Sequence, residues 1–92
     1  MVKKIVTILN ETGLHARPAA EFVQAAKTFK SAVTIRRADE ASEPVNAKSM
    51  VRLLTLALSM GTRAEIAAEG EDEQQAVDAL AALINSGFGE LA

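Results

Sequence analysis

Thr62-Arg63-Ala64-Glu65-Ile66-Ala67-Ala68-Glu69 is the cleanest alternation in the chain, with Ala64, Ile66 and Ala68 on one side and Arg63, Glu65, Ala67 and Glu69 on the other. A period of two is what a strand presents when one face packs on a core and the other meets water. The pattern predicts a strand over 62–69, in a sheet covered on one side only. Helices must then supply the covering layer.

Upstream, 32–37 alternates in the same sense, with Val33 and Ile35 on one face and Thr34 and Arg36 on the other. The stretch 45–47 is a shorter candidate strand. Pro44 precedes it and has no N–H to give a ladder, so this strand is expected at a sheet edge. The connection 38–44 is acidic and turn-rich, without apolar periodicity. At the start, 3–9 is β-branched and apolar on both alternations, which predicts a strand but leaves its inward face open.

Between the strands the period changes. Over 17–29, Ala19, Phe22, Val23, Ala26 and Phe29 recur at helical spacing and form one stripe. Ser49 is a natural N-cap for a helix over 50–60, and Gly61 a natural C′ stop. Within that span Met50, Val51, Leu53, Leu54, Leu56, Ala57, Leu58 and Met60 are too many for one stripe. Either the helix is deeply buried or it leaves apolar residues in solvent. Complete burial is hard to arrange in so short a chain, so an exposed patch that docks a partner is expected. Asp72 followed by Gln75 resembles a capping box, and Ala76, Val77, Leu80, Leu83 and Ile84 make a further stripe ending near Gly87. The order is β-α-β-β-α-β-α. A four-stranded, mainly antiparallel sheet with three helices on one face makes a two-layer, open-faced α+β sandwich, one domain over 1–92.

Charge and composition narrow the function. Ten basic and 12 acidic residues leave a net charge of −2, which disfavours a general nucleic-acid binder. Three Phe and no Trp or Tyr offer little for bases to stack on. Lys27, Lys30, Arg36, Arg37, Lys48 and Arg52 lie in the first two thirds, whereas 65–78 is strongly acidic. Solvated faces account for this, with a basic docking rim as the alternative. The absence of Cys removes any disulfide framework or thiolate metal site, and no metal or cofactor is expected. Met1-Val2-Lys3-Lys4 leads straight into the first strand without the apolar region of a signal peptide, and no apolar run approaches the ~18 residues that span a bilayer. A cytoplasmic protein without membrane insertion is expected.

The candidate chemistry lies in Gly13-Leu14-His15-Ala16-Arg17-Pro18-Ala19-Ala20, which holds the only histidine. Pro18 suits the first turn of a helix, where its missing N–H would have had no partner. His15 then falls at the helix mouth, with the Ala16 and Arg17 N–H groups as orphan donors and the peptide dipoles favouring negative charge. Arg17 adds a guanidinium fork suited to phosphoryl oxygens. An imidazole nitrogen is a usable nucleophile near neutral pH. These features point to a phosphate site that needs no metal. The plainer readings are a helix cap or a surface histidine, and a small hydrolase using His15 as general base is disfavoured because no acid or nucleophile is fixed beside it.

The chain resembles the HPr family of phosphocarriers of the bacterial phosphoenolpyruvate-dependent phosphotransferase system. The resemblance rests on Gly13-Leu14-His15-Ala16-Arg17-Pro18-Ala19-Ala20, on Asn46-Ala47-Lys48-Ser49-Met50 at the opening of the second helix, and on Ala68-Glu69-Gly70-Glu71-Asp72-Glu73. It implies strand order 1-4-2-3, phosphorylation of Nδ1 of His15, and stabilisation of the phosphate by Arg17. Enzyme I would be the donor and EIIA domains the acceptors. Ser49 matches a regulatory serine that some members present to an HPr kinase/phosphorylase. Leu14, Ala20, Met50, Arg52, Leu53 and Leu54 are expected to meet partners, with the carrier itself a monomer and not a turnover enzyme. The connection 36–48 is longer than in the familiar sugar-system members, and Leu83-Ile84-Asn85-Ser86-Gly87-Phe88 looks like the nitrogen-related branch, NPr. Leu14-His15-Ala16-Arg17-Pro18 and Asn46-Ala47-Lys48-Ser49 suit the sugar branch, so both remain open, as does a regulatory binding module that is never phosphorylated.

Overall fold

The computed structural model describes residues 1–39 and 41–90. Strands β1 (Val2–Thr7), β2 (Ala32–Arg37), β3 (Val45–Asn46) and β4 (Arg63–Glu69) alternate with helices α1 (Ala16–Lys27), α2 (Met50–Leu54) and α3 (Glu73–Asn85), and a 3₁₀ turn, Gly87–Gly89, follows. The sheet order is β1-β4-β2-β3, and every pair is antiparallel. The alternating stretch 62–69 is thus a central strand, paired on both sides. Its residues Ala64, Ile66 and Ala68 are buried together with Val6, Val33 and Ile35 from the flanking strands.

The three helices cover that face. Phe22, Val23 and Ala26 from α1, Leu53 from α2, and Val77, Leu80 and Ile84 from α3 join the strands in one hydrophobic cluster. The opposite face meets water, where Arg36 lies across from Glu65 and its Nε donates to the Glu65 carboxylate at 3.0 Å. The ambiguity in β1 resolves with Val6 and Ile8 inward and Ile5 and Leu9 exposed. β3 is an edge strand, as Pro44 implies. Glu40, within the expected connection 38–44, lies outside the described residues. Among the described residues no helix is long and apolar enough to cross a membrane.

Two local expectations are corrected. The second helix was expected over 50–60 but ends at Leu54. The N–H groups of Thr55, Leu56 and Ala57 reach back three residues, to Arg52, Leu53 and Leu54, and Ala57 then turns left-handed at φ 50°. Past the end of α2, Leu56 and Leu58 are buried while Ala57 between them is exposed, a period of two and not of 3.6. Arg37 secures this exit, its Nη1 donating to the carbonyls of Leu56 and Ala57 at 3.1 Å each. Gly61 does not stop a helix; its N–H donates to Ile8 O at 2.8 Å and leads the chain into β4.

The capping box at Asp72 is also corrected. Its carboxylate makes no cap bond to α3. It accepts instead from the Lys30 N–H (2.9 Å), the Ser31 N–H (2.9 Å) and the Ser31 hydroxyl (2.5 Å), tying the α1–β2 turn to the start of α3. The Ser31 hydroxyl, then the Lys30 N–H, hold its pKa down to about 2. Glu73, the first residue of α3, turns its carboxylate back to the preceding turn and accepts from the Gly70 N–H at 3.1 Å.

Candidate functional site around His15

The turn that presents His15 is built before α1 begins. Gly13 adopts φ +65°, open to glycine at little cost, and sits so close to the segment after α2 that a Cβ would lie 2.5 Å from Leu58 O and 2.8 Å from Ser59 Cα. Leu14 then donates its N–H to Leu58 O at 2.8 Å and buries its side chain. These contacts leave His15 exposed at the N-cap of α1, with extended backbone (φ −128°, ψ 158°) and no capping bond from its ring. His15 thus holds the cap position by its backbone, while its ring caps no helix donor and stays open to solvent.

Ala16 follows with φ 49°, a left-handed conformation that costs an L-residue roughly 1–2 kcal/mol. Such strain persists only where neighbours over-determine it, and here Leu14 is anchored on one side while Pro18 and Ala19 are buried on the other. The Ala16 and Arg17 N–H groups lie in the first turn, where no intrahelical acceptor exists, and have none elsewhere among the described residues. The first turn also carries no acidic residue, so the positive end of the helix dipole is not answered there by a carboxylate. Arg17 is exposed, and its Nε faces Glu21 Oε1 at 3.6 Å, a surface pair of little strength. An anion arriving at this turn meets two free N–H donors, a guanidinium that exchanges a weak partner, and an accessible imidazole.

Ser49 caps α2, with its Oγ accepting from the Arg52 N–H at 3.3 Å. Lys48 is engaged nearby, its Nζ donating to Phe29 O at 2.8 Å at the end of α1. Of the residues expected to meet partners, Ala20, Arg52 and Leu54 are exposed and Met50 is half-buried. Leu14 and Leu53 are corrected, because each is only 1% exposed and belongs to the core. Val51 and Met60 were not singled out, yet at 74% and 57% exposed they are the apolar side chains most open to water in this region. A helix drawn to residue 60 spreads its apolar residues all round. Ending it at Leu54 separates the buried Leu53, Leu56 and Leu58 from the exposed Val51, Leu54 and Met60. Among the described residues no three His, Cys, Asp or Glu converge as metal ligands would.

Comparison with known proteins agrees with this geometry. Residues 2–86 match the family model described as the PTS HPr component phosphorylation site. The chain is 50% identical over 84 residues to the phosphocarrier protein HPr of Haemophilus influenzae, covering 91% of this chain and 95% of that protein. It is 43% identical over 90 residues to the HPr of Neisseria meningitidis serogroup A, covering 98% of each. A multiphosphoryl transfer protein of Haemophilus influenzae is 40% identical over 89 residues, of which the chain spans only 18% of the length. Among solved structures, HPr-C-His from Thermoanaerobacter tengcongensis superposes with a TM-score of 0.93 at 43% identity, over 100% of both chains. With residues 2–86 matching the family model and the fold shared throughout, the chain belongs to the HPr phosphocarrier family of the phosphotransferase system.

Proposed function

We propose that this chain, a single cytoplasmic domain acting as a monomer, accepts a phosphoryl group from phospho-enzyme I on Nδ1 of His15 and passes it to EIIA domains of the sugar branch. The observation that carries this reading is the exposed His15 set beside the unpartnered N–H groups of Ala16 and Arg17, at a helix mouth without a first-turn carboxylate. In the step, the Nδ1 lone pair forms a bond to phosphorus as the bond from phosphorus to its atom on enzyme I breaks. The electron pair of the broken bond stays with enzyme I. Arg17 and the two N–H groups meet charge on the phosphoryl oxygens as it moves. Transfer onward repeats the step with an EIIA residue as nucleophile, so the chain is a carrier and turns over no substrate of its own.

Met50, Val51, Leu54 and Ala20, with Arg52, offer the docking surface, since each keeps its side chain at least partly in solvent. Leu14 and Leu53 support it from beneath. Ser49 could take a phosphate from an HPr kinase/phosphorylase without unfolding α2, because negative charge is welcome at a helix N-terminus, and the added charge would then oppose docking. Incubation with enzyme I and phosphoenolpyruvate, followed by mass spectrometry, tests the proposal. An adduct on His15 that is lost in acid and kept in base is expected, and His15→Ala should accept none. Label on another residue, or an unlabelled wild type, would refute it. Comparing enzyme I from the sugar and nitrogen branches identifies the donor, with faster transfer from the sugar enzyme expected.

A further inference from the structure

The turn ahead of His15 is held from the far end of the chain. Asn10 is fully buried, and its Nδ2 donates to Gly13 O at 2.9 Å, to Thr12 Oγ1 at 3.1 Å and to Glu90 Oε1 at 3.3 Å. Thr12 Oγ1 in turn donates to the same Glu90 oxygen at 2.8 Å. The amide of Asn10 has one sensible orientation, because turning it over would aim Oδ1 at the Gly13 carbonyl and the Glu90 carboxylate. Even so its Oδ1 is buried without a partner, a cost accepted so that the nitrogen can serve these acceptors. Glu90 reaches this place because Phe88 is buried and turns left-handed (φ 56°, ψ 29°), after which the Glu90 N–H closes on Gly87 O at 2.9 Å.

The opposite side of the same turn is the bond from the Leu14 N–H to Leu58 O. Between these two supports and the buried start of α1, the backbone passes through the left-handed Ala16. We propose that Glu90 is a positioning residue for phosphoryl transfer: through Thr12 and Asn10 its carboxylate clamps the turn 10–13, and so sets the backbone that presents His15. This rests on His15 being the phosphoryl acceptor. It adds a role for a residue 75 positions away that touches no reacting atom.

Glu90→Ala removes the acceptor, whereas Glu90→Gln keeps an oxygen that can accept from both Thr12 and Asn10. Two measurements on the full chain test the clamp. Amide hydrogen exchange followed by NMR should show Leu14 opening about tenfold more often in Glu90→Ala, the value of one hydrogen bond to a charged group. The phosphorylation rate at saturating phospho-enzyme I should fall by about the same factor with KM changed less than about twofold. Glu90→Gln should restore both to within about twofold of wild type, and Thr12→Val should repeat the loss in case Glu90→Ala folds poorly. Unchanged exchange at Leu14 overturns the proposal. So does a change in KM alone, which would make Glu90 a docking residue, or a Glu90→Gln variant as impaired as Glu90→Ala. If the wild type took no phosphate on His15, the functional reading would fall, while the exchange measurement would still decide the clamp.

Discussion

Gly13→Ala tests whether the close approach behind His15 governs both stability and presentation of the histidine. The backbone there has φ +65°, and placing an L-residue in that region costs about 1–2 kcal/mol. The added methyl would also stand 2.5 Å from Leu58 O and 2.8 Å from Ser59 Cα, both main-chain atoms that cannot swing aside. Relief requires the turn to move off the 58–59 segment, which gives up the 2.8 Å bond from Leu14 to Leu58, worth roughly 1 kcal/mol. Together these come to about 2–3 kcal/mol, a substantial part of the 5–15 kcal/mol that holds an ordinary domain together. At about 4–8 °C per kcal/mol for a domain of this size, the melting temperature should fall by about 8–24 °C. Thermal unfolding followed by circular dichroism measures this, and phosphorylation by enzyme I below the new transition measures the functional loss. A melt within about 3 °C of wild type would show that the turn relaxes freely, and the over-determined turn would no longer explain the left-handed Ala16.

Three further outcomes follow from the same contacts. If, as proposed, the guanidinium acts on the moving phosphoryl group, Arg17→Ala should lower the transfer rate at saturating enzyme I more than it raises KM; a change in KM alone would make it a docking residue. Leu54→Glu should leave the melting temperature nearly unchanged yet raise KM for both partners, whereas Leu53→Ala should cost about 2–5 kcal/mol by opening the core, and a reversal of that order would overturn the reassignment of the patch. Asp72 has its folded pKa lowered to about 2, so its contribution is full above the ordinary carboxylate range and is lost as pH falls toward 2; Asp72→Asn should remove that part of the acid dependence, and an unchanged acid limb in urea titrations would count against it.

Much of the fold is legible because it is periodic. The alternation of 62–69 and 32–37 and the stripes of α1 and α3 are local repeats, and each identifies its own buried face without reference to any other segment. His15 at a helix mouth is equally local, since Gly13, Pro18 and the stripe after it lie within a few residues. What the tertiary structure decided is where a hydrogen-bond partner or a buried site came from a distant segment. The run after Ser49 is rich in good helix formers, but Leu58 O is claimed by the Leu14 N–H and the side chains of Leu56 and Leu58 by the core, so the helix stops at Leu54. Asp72 has the identity of an N-cap, yet Lys30 and Ser31, some 41 residues away, present three donors to it at once. Asn10 and Thr12 read only as part of a polar turn, and nothing local joins them to Glu90, because those bonds span 80 and 78 residues and form only once Phe88 is buried. Periodicity reports which face of an element is apolar; only the packed chain decides which donor meets which acceptor.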